Sequence, residues 1–110
     1  MAELEKYRAI LKSLLEQYAK MASDDEVETQ LVIDPERDHY QLVQVGWQNN
    51  RRIYGCILHL DIKGDKVWIQ HNGTEIEIGD ELVAAGIPKK KIVVGFHSPF
   101  KRSLTEFAVG

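Results

Sequence analysis

The chain of 110 residues is 44% hydrophobic and 28% charged, and its formal net charge at pH 7 is −3. These values are typical of a folded globular protein. They argue against a disordered chain, a fibrous repeat and a surface that is basic throughout for binding nucleic-acid phosphates. Because the length suits one hydrophobic core and no linker or repeat is visible, a single domain over residues 1–110 is predicted.

The sequence also bears on where the protein is located. Its N-terminus is charged and periodic, unlike a secretion signal, and no apolar run reaches the roughly 18 residues that a membrane-spanning helix needs. The lone Cys56 cannot form an internal disulfide, and a free thiol suits a reducing compartment. A cytoplasmic protein that makes no membrane contact is predicted.

The first predicted element is an amphipathic helix of about five turns near the N-terminus. Apolar residues recur every three or four positions, and charged residues fill the opposite side. The apolar stripe consists of Leu4, Tyr7, Leu11, Leu14, Tyr18 and Met21. We expect this helix to cover one face of a sheet, and pairing with its own copy in a second subunit is the alternative.

Four strands are predicted to follow, and residues typical of turns separate them. The strands span residues 28–34, 40–47, 51–62 and 67–71. The pair Gly64-Asp65 is a strong signal for a tight hairpin, because glycine adopts the positive φ that such turns require.

This hairpin gives the predicted sheet two different faces. One face is polar, with Asp61 opposite Trp68 and His59 opposite Gln70. The other face is apolar and is predicted to pack against a helix as the core. It carries Cys56, Leu58, Leu60, Ile62, Val67 and Ile69, with Leu58 opposite His71.

The C-terminal part is predicted to add a second helix and further strands. Thr74 to Glu77 has the pattern of a capping box, so a helix is expected at about residues 74–85, before Gly86 and Pro88. A short strand is expected at 92–96, an ordered loop at 97–102 and a last edge strand at 104–109. The predicted fold class is α+β, an antiparallel β-meander of four to six strands with a long N-terminal amphipathic helix and the second helix packed on it.

Catalytic and metal chemistry find little support in the sequence. The candidate ligands His59, Asp61, His71 and His97 do not converge, because the predicted register puts His71 on the other face from His59 and Asp61. Neither Cys56 nor Ser98 lies in a nucleophile motif, and no phosphate-binding glycine loop is present. No metal, no cofactor and no enzymatic activity are predicted.

Two sets of residues are candidates for contact with partners. The candidates for protein binding are Trp47, His59, Asp61, Trp68, Gln70, His97, Ser98, Pro99, Phe100 and Arg102. The candidates for binding phosphates or an acidic partner are Arg51, Arg52, Lys89, Lys90, Lys91 and Lys101. The alternatives are that the basic residues are solvated turn charges, that the aromatic residues belong to the core, and that a helix covers the polar face.

Four blocks of the sequence resemble a known family. They are YQLVQVGW, RRIYGCILHLDIKGDKVWIQHNGTE, ELVAAGIPKKKIVVGFHSP and TEFAVG, in this order from Tyr40 to the C-terminus. They are similar to the XisI family, the fdxN element excision controlling factor proteins. The resemblance implies a small α+β protein, bacterial and chiefly cyanobacterial. It also implies action with an endonuclease-like companion of the XisH type, to control excision of a chromosomal DNA element by a separate site-specific recombinase. It supplies no catalytic residue.

The function predicted from this resemblance is that of a non-enzymatic accessory factor that forms a homo-oligomer. It is expected to bind the XisH-type companion, and possibly the recombinase, through the polar sheet face or the loop at 97–102, so that its contact with DNA is mainly indirect. Two alternatives stay open. One is direct DNA binding as a recombination regulator, and the other is antidote-like inhibition of a neighbouring nuclease-like toxin.

Overall fold

A computed structural model describes residues 2–110, and Met1, the first residue of the predicted domain 1–110, lies outside the described residues. The N-terminal helix, the first five strands and the second helix follow one another in the predicted order, with shifted ends, whereas a 3-10 turn and a short third helix were not predicted. The elements are α1 (Ala2–Ala22), β1 (Val27–Asp34), β2 (His39–Gln48), β3 (Arg51–Lys63), β4 (Lys66–Asn72), α2 (Ile78–Ala84), a 3-10 turn (Lys89–Lys91), β5 (Ile92–Val94) and α3 (Pro99–Arg102).

The strands form one five-stranded sheet in the order β1-β2-β3-β4-β5. Strands β1 to β4 are an antiparallel meander, but β5 lies parallel to β4. The prediction of an antiparallel sheet throughout is therefore wrong at this edge, because the chain passes through α2 before it returns and a crossover of this kind joins parallel strands. The predicted edge strand at 104–109 is also wrong, since it reduces to one bridge between Val93 and Ala108. The α+β class is confirmed.

Helix α1 packs on one face of the sheet, which we call the covered face. Its side chains Tyr7, Leu11 and Leu15 are buried and belong to one core cluster with strand residues that include Leu42 and Leu58. The spacing of the apolar stripe places these residues on a single side of the helix. Burying each side chain of this size stabilises the fold by about 1.5–3 kcal/mol, so the covered face accounts for most of the stability.

Helix α2 adds Ile78 and Leu82 to the same core but begins later than predicted. The side chain of Asn72 accepts hydrogen bonds from the Thr74 N–H at 2.9 Å and the Thr74 hydroxyl at 2.6 Å, and donates to the Ile76 carbonyl at 2.8 Å. Because the Thr74 N–H and hydroxyl both donate to Asn72, the predicted capping box between Thr74 and Glu77 does not form. The segment after β4 is a turn, and the helix begins only at Ile78.

Two β-bulges set the register of the sheet. In the first, Leu42 pairs with Leu58 while Val43 pairs with Cys56, so that Ile57 is the extra residue on β3. Ile57 packs against the core, and Cys56 lies beside Val43 on the opposite face. The prediction that Cys56 belongs to the apolar core face is therefore wrong, because an extra residue reverses the alternation of side chains.

The second bulge lies on β4 at Gln70. Leu60 pairs with Ile69, as predicted, but His59 then pairs with His71, and Leu58 pairs with Asn72. The predicted pairs His59–Gln70 and Leu58–His71 are wrong, since one residue of β4 has no partner on β3.

Within residues 2–110, no helix is both long and apolar enough to cross a membrane.

Candidate functional site

The sheet face turned away from α1 carries the candidate functional residues, and we call it the open face. Both α1 and α2 pack on the covered face, so these side chains are left to solvent except where α3 reaches the β4 edge. The open face consists of Glu28, Gln30, Val32 and Asp34 on β1, His39, Gln41, Val43, Val45 and Trp47 on β2, Arg52, Tyr54, Cys56, His59, Asp61 and Lys63 on β3, and Lys66, Trp68, Gln70 and His71 on β4. The prediction that His71 lies on the other face from His59 and Asp61 is therefore wrong, because the bulge at Gln70 brings His71 opposite His59.

A hydrogen-bonded group at one end of the open face consists of His39, His59, Asp61 and Gln70, and we call it the Asp61 cluster. Asp61 Oδ1 accepts hydrogen bonds from His39 Nδ1 and from His59 Nε2, each at 2.8 Å. Asp61 Oδ2 accepts from Gln70 Nε2 at 3.2 Å. Because an ionised carboxylate can only accept, both imidazole nitrogens carry their proton on the side of Asp61.

The backbone explains why these side chains meet. His39 lies directly opposite Asp61 across the β2–β3 ladder, and His59 is two residues before Asp61 on the same strand. Side chains at such positions share one face of a sheet and approach to about 5 Å. The bulge at Gln70 places the amide within reach of the second carboxylate oxygen. The cluster is therefore held by the sheet and not by a flexible loop.

Asp61 is buried although it lies on the open face, with a relative exposure of only 7%. Burial raises the pKa of this carboxyl, but the hydrogen bonds from His39 and His59 outweigh it, and the pKa stays below its ordinary value. Among residues 2–110, the ion-pair partners of Asp61 are these two imidazoles, and neither a lysine nor an arginine is among them. Asp61 is thus an ionised carboxylate whose negative charge is not paired with a lysine or an arginine among these residues.

Trp68 lies next to the Asp61 cluster and carries two cations over its ring. Lys63 Nζ is 4.6 Å and the Arg102 guanidinium carbon 5.1 Å from the ring centroid. Arg102 also donates to the carbonyl oxygens of His97 at 3.0 Å and Gly95 at 3.2 Å, so its position is fixed by α3 and the preceding loop. A partly exposed tryptophan between cations can stack on an aromatic or planar group of a partner.

An aromatic group marks the other end of the open face, at the β2–β3 hairpin, and we call it the aromatic end. It consists of Trp47, Arg52 and Tyr54. Trp47 is 55% exposed and Tyr54 is 72% exposed. The Arg52 guanidinium lies 5.4 Å from the centroid of the Trp47 ring and 6.0 Å from that of Tyr54. Tryptophan, tyrosine and arginine are the residues enriched at the energetic centres of protein interfaces.

The remaining candidates for protein binding lie outside this face, in the segment from His97 to Arg102. This segment, predicted as a loop, contains the short helix α3, with Ser98 as its N-cap and Pro99 as its first residue. The His97 ring packs edge-on against Phe96 at 4.8 Å and makes no contact with the Asp61 cluster. Phe100 is exposed on α3.

The predicted basic contacts do not form one patch. Arg51 and Arg52 lie at the start of β3, whereas Lys89, Lys90 and Lys91 precede β5 beside the other end of β3, about 40 Å away at ~3.3 Å per strand residue. Lys89 is paired with Glu106, and Lys91 is paired with Asp65. Lys101 lies on α3. These cations are therefore too scattered, and in part too well paired with carboxylates, to form one binding site for a phosphate backbone.

Sequence reasoning missed two residues of this face, His39 and Tyr54. His39 stood at the end of a predicted turn, and only the observed β2–β3 register brings it opposite Asp61. Tyr54 occurs in a strand rich in apolar residues, where nothing in the alternation distinguished an exposed ring from a buried one. Pairing β3 with β2 back from the Asn49-Asn50 turn would have placed Tyr54 opposite Val45, but without the bulge at Ile57 it would not have placed His39 opposite Asp61.

Comparison with known proteins identifies the family. The chain matches the family model described as XisI protein over residues 1–109. A XisI-like protein from Anabaena variabilis ATCC 29413 is 43% identical, with a TM-score of 0.88 over 98% of this chain and 99% of that chain. The fdxN element excision controlling factor XisI from the same organism is 38% identical, with a TM-score of 0.85 over 98% of this chain and 99% of that chain. No curated protein sequence matches. The chain belongs to the XisI family.

Proposed function

We propose that this protein is a cytoplasmic, non-enzymatic accessory factor that helps to control excision of a chromosomal DNA element by binding a partner protein through its open face. The observation that carries the proposal is the exposure of Trp47 and Tyr54 on the sheet face that neither α1 nor α2 covers. Trp47 and Tyr54 lie next to each other on the face, on either side of Arg52, and neighbouring exposed apolar groups of this kind are typical of interaction sites. The excision role follows a relative that bears the name fdxN element excision controlling factor.

The partner we propose is the endonuclease-like companion of the XisH type that the family resemblance implies. The open face suits a protein better than DNA, because its aromatic end is surrounded by apolar side chains such as Val43 and Val45 and because its charges have both signs. Duplex DNA would instead require a continuous row of unpaired cations. DNA is therefore contacted mainly through the partner.

Calorimetric titration of the purified companion into this protein tests the proposal. The variant Trp47→Ala should weaken binding by about 30-fold or more, since a central tryptophan contributes on the order of 2 kcal/mol. The matched control is Met21→Ala, which removes another large exposed side chain, 77% exposed, from the end of α1, the helix that packs on the covered face. Equal affinity of both variants would refute the open face as the binding surface.

The two alternatives are separate outcomes of further measurements. Direct DNA binding predicts an affinity for duplex DNA that falls steeply as salt rises, in the absence of the companion. Antidote action predicts that the companion is toxic when expressed alone and harmless when expressed with this protein. If the companion binds, DNA alone does not and no toxicity appears, the accessory role is the one that stands.

A further inference from the structure

We propose that His39, His59 and Asp61 form a binding site for one divalent first-row transition-metal ion, with Zn²⁺ as the ion that suits the ligands best. Two imidazole nitrogens and one carboxylate oxygen form a ligand set that zinc takes in sites with an open fourth position. The same set also suits Fe²⁺, Co²⁺ and Ni²⁺. The predicted register brings only two ligands together, His59 and Asp61, and the structure adds His39 as the third.

The spacing of the three ligand atoms fits one ion. His39 Nδ1, His59 Nε2 and Asp61 Oδ1 lie within 4.8 Å of one another, and each nitrogen is 2.8 Å from the oxygen. Around a tetrahedral ion with bonds of about 2.0–2.1 Å, neighbouring ligand atoms are roughly 3.3 Å apart. Each nitrogen must therefore retreat from the oxygen by roughly 0.5 Å, and the two nitrogens, which lie within 4.8 Å of each other, must close to about 3.3 Å, adjustments that rotation of the side chains can supply.

Coordination changes the protonation of the imidazoles in a balanced way. A nitrogen that binds a metal offers its lone pair, so the proton on His39 Nδ1 moves to Nε2 and the proton on His59 Nε2 moves to Nδ1. This exchange of tautomers moves one proton within each ring and releases none. The His39 side chain is half exposed, so the new N–H can donate to water.

The surroundings of Asp61 favour an ion at this place. Its carboxylate is buried without a lysine or arginine partner within residues 2–110, and a divalent cation would supply the missing charge. Gln70 Nε2 donates to Asp61 Oδ2, the oxygen that does not face the histidines, and thereby orients Oδ1 toward them. Hydrogen bonds of this kind to a ligating carboxylate raise metal affinity.

Because this chain supplies three ligands, at least one coordination position of the ion would stay open on the solvent side of the open face. Water can occupy it, and so can a ligand side chain of a bound protein. Metal binding by the isolated protein can be measured without the companion, so its outcome is independent of the proposed function.

The experiment is titration of Zn²⁺ into tag-free protein that has been stripped with a chelator and dialysed, followed by isothermal calorimetry. We expect uptake of about one equivalent at micromolar protein concentration, and a rise of the melting temperature on binding. His39→Ala and His59→Ala should abolish the uptake. Gln70→Ala should weaken it by about 10-fold or more, because it removes only the orienting hydrogen bond. His71→Ala and His97→Ala are the matched controls and should bind as the unaltered protein does.

A second variant and a second signal keep the test decisive. His59→Gln preserves a donor for Asp61, so it retains the hydrogen-bonded fold of the cluster while it removes the imidazole ligand. With Co²⁺ as the ion, the visible absorption typical of four coordination should appear in the unaltered protein and be absent from His59→Gln. Failure of the unaltered protein to take up either ion would overturn the proposal. Uptake that survives His39→Ala but is lost in His71→Ala would overturn it as well.

Discussion

The two faces of the sheet are built from different interactions. On the covered face, Leu11, Leu42 and Leu58 are fully buried between helix and sheet. Their contribution to the free energy of unfolding depends on the apolar area that they remove from water. On the open face, Asp61 and Trp68 are held by hydrogen bonds and by cations over an aromatic ring. The difference assigns most of the stability to the covered face and leaves the open face to the proposed partner binding. Changes on the covered face should affect unfolding, and changes on the open face should affect binding.

The largest expected effect is the loss of a core leucine. Leu58→Ala should lower the free energy of unfolding by about 2–5 kcal/mol, since it removes buried methyl groups and leaves a cavity. The same change at Leu104, which is 71% exposed, should alter it by less than about 0.5 kcal/mol. Urea unfolding followed by circular dichroism measures both. Similar losses in the two variants would contradict the assignment of most of the stability to the covered face.

Alkaline pH should weaken the covered face through two tyrosines. Burial, with the hydrogen bond to Glu3, raises the pKa of Tyr7 from 10.0 to about 12, and burial, with the charge of Asp38, raises the pKa of Tyr40 from 10.0 to about 12. The folded state thus favours the neutral phenol. Stability is fully present below pH 10 and is lost as pH rises toward 12, by roughly 3 kcal/mol per group at most.

Ultraviolet titration of tyrosinate checks this pH dependence. Tyr7→Phe and Tyr40→Phe should each remove one late step, and Glu3→Gln should move the step of Tyr7 to lower pH without moving that of Tyr40. A titration in which neither phenylalanine variant removes a late step would contradict the assignment.

A methyl group at Gly46 should be costlier than one at Gly95. At Gly46 the added Cβ would lie 2.3 Å from the Glu26 carbonyl oxygen and 2.8 Å from Val27 Cα, so β1 itself must move. At Gly95 it would lie 2.7 Å from Gln70 Oε1, 3.0 Å from Trp68 Cε3 and 3.2 Å from the Ile69 carbonyl oxygen, so the two nearest contacts are side-chain atoms that can shift. We expect Gly46→Ala to cost about 1–3 kcal/mol in thermal unfolding and Gly95→Ala less. The reverse order would show that the open face is packed as tightly as the core.

The smallest expected effect is the loss of the ion pair between α1 and the β1–β2 turn. Arg8 donates from Nε to Asp38 Oδ1 at 2.8 Å and from Nη2 to Asp38 Oδ2 at 3.1 Å. Because the pair is partly exposed, a double-mutant cycle with Arg8→Ala and Asp38→Ala should give a coupling of about 0.2–1 kcal/mol. A coupling well above this range would mean that the attachment of α1 depends on charge as much as on apolar packing.

The covered face could be predicted from the sequence because its pattern is redundant. The stripe of α1 repeats over five turns, and Leu58, Leu60 and Ile62 alternate without interruption. Each residue supports the same assignment, so one ambiguous position does not change it. The hairpin at Gly64 was equally clear, and its φ of 64° is the positive value that the turn required.

The open face could be predicted only in part because it depends on two extra residues. Counting back from the Asn49-Asn50 turn without a bulge would place His39 opposite Leu60. The extra residue Ile57 shifts the pairing by one, so that His39 meets Asp61. A bulge costs little and leaves no periodic signal, so neither the Asp61 cluster nor the true position of Cys56 follows from alternation. Asp61 and Trp68 were correctly paired because the register next to Gly64 is undisturbed, whereas Gln70 is the bulged residue and reaches Asp61 through its side-chain amide.

The central claim is that the open face, and not the surface of α1, meets the partner protein. Hydroxyl-radical footprinting of the complex with the XisH-type companion tests it most directly, because the exposed side chains Trp47, Tyr54 and Met21 all react with the radical. The account predicts that oxidation of Trp47 and Tyr54 falls sharply in the complex while oxidation of Met21 is unchanged. Protection of Met21 with Trp47 and Tyr54 still fully reactive would contradict it.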